Sequence, residues 1–217
     1  WTTAANWTPA GVPGAGDNVT IPDNATMRIM STSETCDSVF IDCNNGATSI
    51  NANLIIIGTG SLTITNGLRM DEDFALTGKA ILNISGSTSC TVGKDITFNT
   101  FATDGARIFM TSGASTMNLG GDITFGFGTA GTLNGGTNGS TVNINGSVAQ
   151  TIRTQDATIT YDNLTTNNSH GSGATLDGAL STTNVNSTFH VASGICNGGA
   201  FAHVLGSDFT IDGTFNS

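Results

Sequence analysis

Residues 78–100 read GKAILNISGSTSCTVGKDITFNT, and residues 105–127 read GARIFMTSGASTMNLGGDITFGF. The second line opens at Gly105 as the first does at Gly78, and Asp95-Ile96-Thr97-Phe98 returns at the same offset as Asp122-Ile123-Thr124-Phe125. Self-similarity at a fixed period of this size marks a repeat architecture, in which one supersecondary unit stacks on the next. Within each line apolar residues alternate with small polar ones: Ile81 (with Leu82 beside it) and Ile84, Ile108 and Met110, Ile96 and Phe98, Ile123 and Phe125. That is the period of a strand and not of a helix. Short strands, Gly-Ser-Asn turns and this spacing predict a coil of parallel strands. Each line is one rung of a β-solenoid.

A looser third copy, GTLNGGTNGSTVNINGSVAQTI, starts at Gly131, one position short of the next full offset from Gly105, with a one-residue slip at Val142 and Ile144. Gly146 matches Gly120 and Gly93. Before the repeat, Ser61–Thr65 alternates cleanly through Leu62 and Ile64; after it, the same pattern runs through Phe209, Ile211 and Phe215. No shift in composition marks a linker. The expectation is an all-β parallel β-helix of about eight rungs with 26–27-residue coils, roughly 40 Å long at one strand spacing per rung. Residues 1–22 form its N-terminal cap and residues 23–217 one continuous run of repeats, as part of a longer chain.

Composition narrows the function. Net charge is −10, and the six Lys and Arg are scattered singly. A nucleic-acid binder needs a basic stripe, and an anionic membrane surface attracts one, so both partners are disfavoured. No apolar run approaches the roughly 18 residues of a membrane span, so direct insertion is not expected. Charged residues make up only 10%, against roughly 25% in ordinary domains. Solubility therefore rests on Asn, Thr, Ser and Gly, a surface common on extracellular β proteins.

The residue types that carry chemistry give few candidate sites. Cys36, Cys43, Cys90 and Cys196 lack zinc-type spacing. Cys90 shares the alternation slot of Met117, which predicts burial as a small hydrophobe. Cys36 and Cys43 flank the strand Asp37–Asp42, and a disulfide between them requires the chain to fold back. Asp95 and Asp122 are expected to stack one strand spacing apart, capped by backbone N–H groups at a corner, sharing a cation, or acting as paired carboxylates on a glycoside, although nothing in the sequence supplies a cleft for the last. Asp71 and Asp73 belong to the only dense acidic run; a solvated loop and a calcium site are both readings of it, although the spaced oxygen pattern of a calcium loop is missing. Lys79 and Arg107 follow rung-opening glycines and could stack on one edge. His170, His190 and His203 show no metal-binding spacing. No cofactor is expected. The pairs Thr63/Thr65, Thr97/Thr124 and Thr158/Thr160 raise the option of a flat threonine face suited to ice.

The opening Trp1-x₄-Asn6-Trp7-x₅-Pro13-x₃-Asp17-x-Val19-x-Ile21-Pro22 resembles the first segment of large secreted surface proteins of Bacteroidota-type bacteria, and is similar to that of G8-type extracellular domains. The motifs Ala149-Gln150-Thr151-Ile152, Tyr161-x-Asn163-Leu164-Thr165, Thr175-Leu176-x-Gly178-x-Leu180 and Thr188-Phe189-x-Val191-x-Ser193-Gly194 are similar to a recurring unit of the same proteins. The resemblance implies a β-solenoid-rich adhesin exported by a type IX route, with Asp37-Ser38-Val39 as an O-glycosylation acceptor at Ser38. A solenoid must cover its first open rung, and Trp1, Trp7, Pro13 and Asp17 stand where such a cap would be.

Three functions follow as expectations. The first is a non-enzymatic structural or adhesive module, secreted or at the cell surface, meeting itself, other surface proteins or glycans. The second is a carbohydrate-binding or polysaccharide-degrading β-helix, for which Trp or Tyr on a groove would speak. The third is an ice-binding solenoid.

Overall fold

The computed structural model describes residues 1–43, 51–72, 78–100, 105–126, 131–156, 158–206 and 208–217. The chain winds as a parallel β-solenoid in which each coil lays one strand on each of three faces. The first coil is β1 (Asn18–Ile21), β2 (Thr26–Ile29) and β3 (Ser33–Cys36); the second is β4 (Ser38–Cys43), β5 (Ala52–Ile56) and β6 (Ser61–Ile64). The third is β7 (Leu68–Glu72), β8 (Ala80–Ser85) and β9 (Ser89–Val92), and the fourth β10 (Ile96–Asn99), β11 (Ala106–Ser112) and β12 (Thr116–Leu119). The fifth is β13 (Ile123–Phe125), β14 (Thr132–Asn134) and β15 (Thr141–Ile144). Beyond it come β16 (Gln150–Ile152), β17 (Ile159–Asn168), β18 (Ala174–Leu176), β19 (Val185–Asn197), β20 (Asp208–Ile211) and β21 (Thr214–Asn216). A 3-10 turn at Ala4–Asn6 is the only helical element among the described residues.

Every ladder is parallel. The first face stacks β1-β4-β7-β10-β13, the second β2-β5-β8-β11-β14-β17, and the third β3-β6-β9-β12-β15-β17 with β19 and β20 following. Strands β17 and β19 turn a corner and serve two faces. Partners on the third face step from Ser33 to Ser61 by 28 residues, from Thr116 to Thr141 by 25, from Thr141 to Asn163 by 22, from Asn163 to Thr188 by 25 again and from Thr188 to Asp208 by 20. The solenoid thus makes about six full turns of roughly 26 residues, and the expected eight rungs give way to fewer coils of unequal length.

Alternation sends one set of side chains inward, and these stack in columns. Val19, Val39, Leu68, Ile96 and Ile123 form one on the first face, and Leu62, Cys90, Met117, Val142, Leu164 and Phe189 form one on the third. All are buried, so each coil's apolar surface is covered by the coils above and below. Ile81, an inward residue on the sequence reading, instead faces outward, with Leu82 and Ile84 buried in its stead. The reason is alternation: Ile81 and Ile84 lie three apart and cannot share a face, so with Ala80, Leu82 and Ile84 inward Ile81 pairs with outward Arg107, one position short of the repeat, until a bulge between Met110 and Ser112 restores the offset.

Two glycine columns make the corners possible. Gly58, Gly86 and Gly113 sit between the second and third faces with φ of 74°, 87° and 75°, a left-handed backbone that costs glycine nothing. Gly93, Gly120 and Gly146 stack between the third and first faces, where a Cβ on Gly120 would lie 2.3 Å from the Gly93 carbonyl oxygen. At the other end of the chain, Trp1 is buried in the core and meets Trp7 edge-on at 5.2 Å. The Trp1 nitrogen donates to the Arg28 carbonyl on β2 (3.0 Å), and Trp7 Nε1 donates to the Trp1 carbonyl (2.8 Å). Pro13 is half-buried, and Asp17 accepts from the Gly14 N–H. The segment laid over the first coil ends before Asn18, because Asn18–Ile21 already pairs with Ser38–Ile41. The ladders therefore start inside the 1–22 segment rather than after it.

Candidate functional site

The first face carries an outward column, Thr20–Phe40–Arg69–Thr97–Thr124, one residue from each of five successive coils. Its members from Thr20 to Thr97 floor a shallow groove of about 720 Å³ that also takes in Asn18, Ser38, Asn66, Lys94 and Asp95. The Arg69 guanidinium lies 5.0 Å from the centre of the Phe40 ring, a cation–π distance. Its Nε donates to Asp71 Oδ1 at 2.8 Å and a second nitrogen to Oδ2, the fork geometry that only arginine offers a carboxylate. Those hydrogen bonds push the Arg69 pKa above its ordinary value. Asp71 is buried while the Arg69 side chain stays about half exposed, so the cation is held at the surface by an anchored anion. Beside it, Asn66 Nδ2 donates to Asp37 Oδ1 at 2.6 Å. The groove therefore holds an aromatic ring, a pinned guanidinium, an ammonium and several amide and hydroxyl groups.

The third face is different in kind. Its outward positions form two polar columns along the axis: Ser33, Ser61, Ser89, Thr116 and Thr141 in one, and Thr35, Thr63, Thr91, Asn118 and Asn143 in the other. Neighbours in a column bond each other: Ser61 Oγ to Ser33 Oγ at 2.9 Å, Asn118 Nδ2 to Thr91 Oγ1 at 3.2 Å, Asn143 Nδ2 to Asn118 Oδ1 at 2.9 Å. This plane is not visible in the sequence repeat alone, since only the register brings the serines and threonines of different coils into line.

The residues singled out in the sequence distribute as follows. Asp95 Oδ1 accepts the Asp122 N–H at 2.8 Å and Asp122 Oδ1 accepts the Thr151 N–H at 2.7 Å. Each carboxylate caps the backbone of the next coil, which is the corner reading. Asp71 is engaged by Arg69; Asp73 lies outside the described residues. Among the described residues no three His, Cys, Asp or Glu side chains gather as a metal site. Lys79 and Arg107 do not share a column: Arg107 pairs with Ile81, and Lys79 precedes β8. Ser38 lies on the outer side of β4, at the groove, and its hydroxyl donates to Asp37 Oδ2 at 3.1 Å.

None of the four cysteines is in a disulfide, and all four are buried. Cys36 and Cys43 are not bridged, because they close successive strands, β3 and β4, and the extended length of β4 holds them more than about 15 Å apart. Burial pushes each of the four thiols up to about 12. The threonine pairs fall on separate faces: Thr63 on the third, Thr97 and Thr124 on the first, Thr160 on the second. Thr97 and Thr124 align as expected, and their hydroxyls bond each other at 3.0 Å. His190 points outward and meets Asp212 at 2.9 Å.

No helix among the described residues is long and apolar enough to cross a membrane. Comparison of the chain with protein-family models, with curated proteins and with solved structures finds no match. The class the geometry defines is therefore the β-solenoid itself.

Proposed function

We propose that this chain is a non-enzymatic structural or adhesive module, secreted and displayed at a cell surface or in an extracellular fibre. The observation that supports it is the run of parallel ladders through successive coils, with serine, threonine and asparagine columns on the outward side of the third face from β3 to β15. A solenoid contacts only its neighbours along one axis, so it supplies length and a repeating surface. Serine, threonine and asparagine columns offer donors and acceptors at every coil, suited to glycans or to a neighbouring protomer. The terminal strands β20 and β21 each pair with β19 alone among the described strands; strand edges of this kind are where further strands add. Electron microscopy of the purified protein across a range of concentrations tests the reading. Rods that join end to end or side by side are expected. Particles that stay single and compact at every concentration overturn the fibre role.

A carbohydrate-binding β-helix is the second reading, favoured by the aromatic ring and fixed guanidinium on the first face.

A further inference from the structure

We propose that the groove on the first face is a binding site for an uncharged, extended polysaccharide lying along the solenoid axis. The inference makes the second reading specific, and it stands or falls separately from fibre formation.

Geometry supplies the first argument. The groove crosses four coils, marked by Thr20, Phe40, Arg69 and Thr97. Coils rise by roughly 4.8 Å, one strand spacing, which is close to the advance of one pyranose in an extended glycan. A chain of sugars can thus meet one side chain of this column at each coil, a hydroxyl, an aromatic ring, a guanidinium and a second hydroxyl in turn. The second argument is chemical. Phe40 is half-buried, and Arg69 covers part of its ring while Asp71 holds the guanidinium in place. Its neighbour on the other side of the ladder, Thr20, is small and exposed, which leaves room for the apolar face of a sugar ring. Around this platform Arg69, Asn66, Lys94 and the hydroxyls of Thr20 and Thr97 offer hydrogen bonds to ring hydroxyls.

Charge decides between neutral and acidic glycans. Arg69 is matched by Asp71, and Lys94 sits beside exposed Asp95, so the groove has no net positive charge to offer a polyanion. The chain as a whole carries −10 and repels one.

Native gel electrophoresis in the presence of soluble mixed-linkage β-glucan, galactomannan, hydroxyethylcellulose or polygalacturonate reads this directly. Retardation by at least one neutral polymer is expected, with none by polygalacturonate. Oligosaccharides of the retarding polymer should compete better with length until about four units, one per coil spanned. Phe40→Ala should weaken binding about tenfold or more, and Phe40→Leu, which keeps apolar bulk without a flat ring, should do the same with the wild-type melting transition. Thr63→Tyr, on the third face, should bind as wild type. No retardation by any neutral polymer, retardation by polygalacturonate alone, or full binding by Phe40→Leu each overturns the proposal.

Discussion

At the residue scale, the corners decide what the fold tolerates. Gly120 stands where the third face turns into the first, with the Gly93 carbonyl 2.3 Å from the position of a Cβ and its carbon at 2.8 Å. The obstacle is backbone, itself held in a ladder, so it cannot swing aside as a side chain would. Gly120→Ala should therefore destabilise the protein by roughly 1–3 kcal/mol, the usual range for overpacking. Gly11, around which nothing lies within 4 Å, is the control: Gly11→Ala should stay within about 0.5 kcal/mol of wild type. Urea unfolding of the two variants separates them, and equal midpoints would contradict the stacked-corner argument. The repeat makes Gly93, Gly120 and Gly146 legible as equivalents in the sequence. That their stacking is too close for any other residue is not legible there, because it depends on how tightly successive coils sit.

At the scale of the element, the step from β13 to β16 departs from the rest of the first face. These strands are not ladder partners. Side chains make the connection: Thr151 N–H donates to Asp122, Arg153 Nε donates to the Ile123 carbonyl at 3.1 Å, and Gln150 bridges the corner. The Gln150 amide donates to the Leu119 carbonyl at 3.0 Å and the Gly121 carbonyl at 2.6 Å, and accepts from the Gly146 N–H at 2.7 Å and Asn168 Nδ2 at 2.6 Å. All four bonds are satisfied in a buried site. Gln150→Leu keeps the bulk but removes the partner of the Gly121 carbonyl and the Gly146 N–H, while the Leu119 carbonyl keeps the Asn145 N–H and Asn168 Nδ2 keeps the Val148 carbonyl; the cost is about 2–4 kcal/mol, since buried groups left unpaired lose their full solvation. Native-state hydrogen exchange should show protection falling in β17 and β19 more than in β5 and β8. Uniform loss along the chain would mean that Gln150 is not a local bridge. Gln150 belongs to the Ala149–Ile152 motif, but its inward-facing role is not legible there: a polar residue at an inward slot has meaning only once its four partners converge.

For the whole molecule, the buried thiols set a pH dependence. Cys36, Cys43, Cys90 and Cys196 are each raised from 9.0 to about 12, chiefly by desolvation. The folded chain keeps these protons at a pH where the unfolded chain releases them. Their contribution to stability is complete below about pH 9 and is lost as pH rises from there toward 12. The urea midpoint should hold steady between pH 7 and 8 and fall above 9, and a chain with all four cysteines replaced by alanine should fall less steeply. A wild-type midpoint unchanged up to pH 11 would rule out the buried, protonated thiols.

The sequence by itself determined the parallel coil, its repeat period, the inward slot of Cys90, the glycine corners and the capping role of Asp95 and Asp122 as one of three readings. All of these are local: strand alternation, turn chemistry and a repeated offset act within one coil or between two identical ones. Only the tertiary structure decided which residues of different coils become neighbours. Phe40 lies against Arg69 of the next coil, Ile81 meets Arg107 where the repeat would give Ile108, and the serines and threonines of the third face line up although their spacing changes along the chain. Register along a solenoid is the sum of its corner lengths and bulges, fixed when backbone hydrogen bonds close between coils. A sequence read strand by strand does not contain that sum, and both the groove on the first face and the plane on the third depend on it.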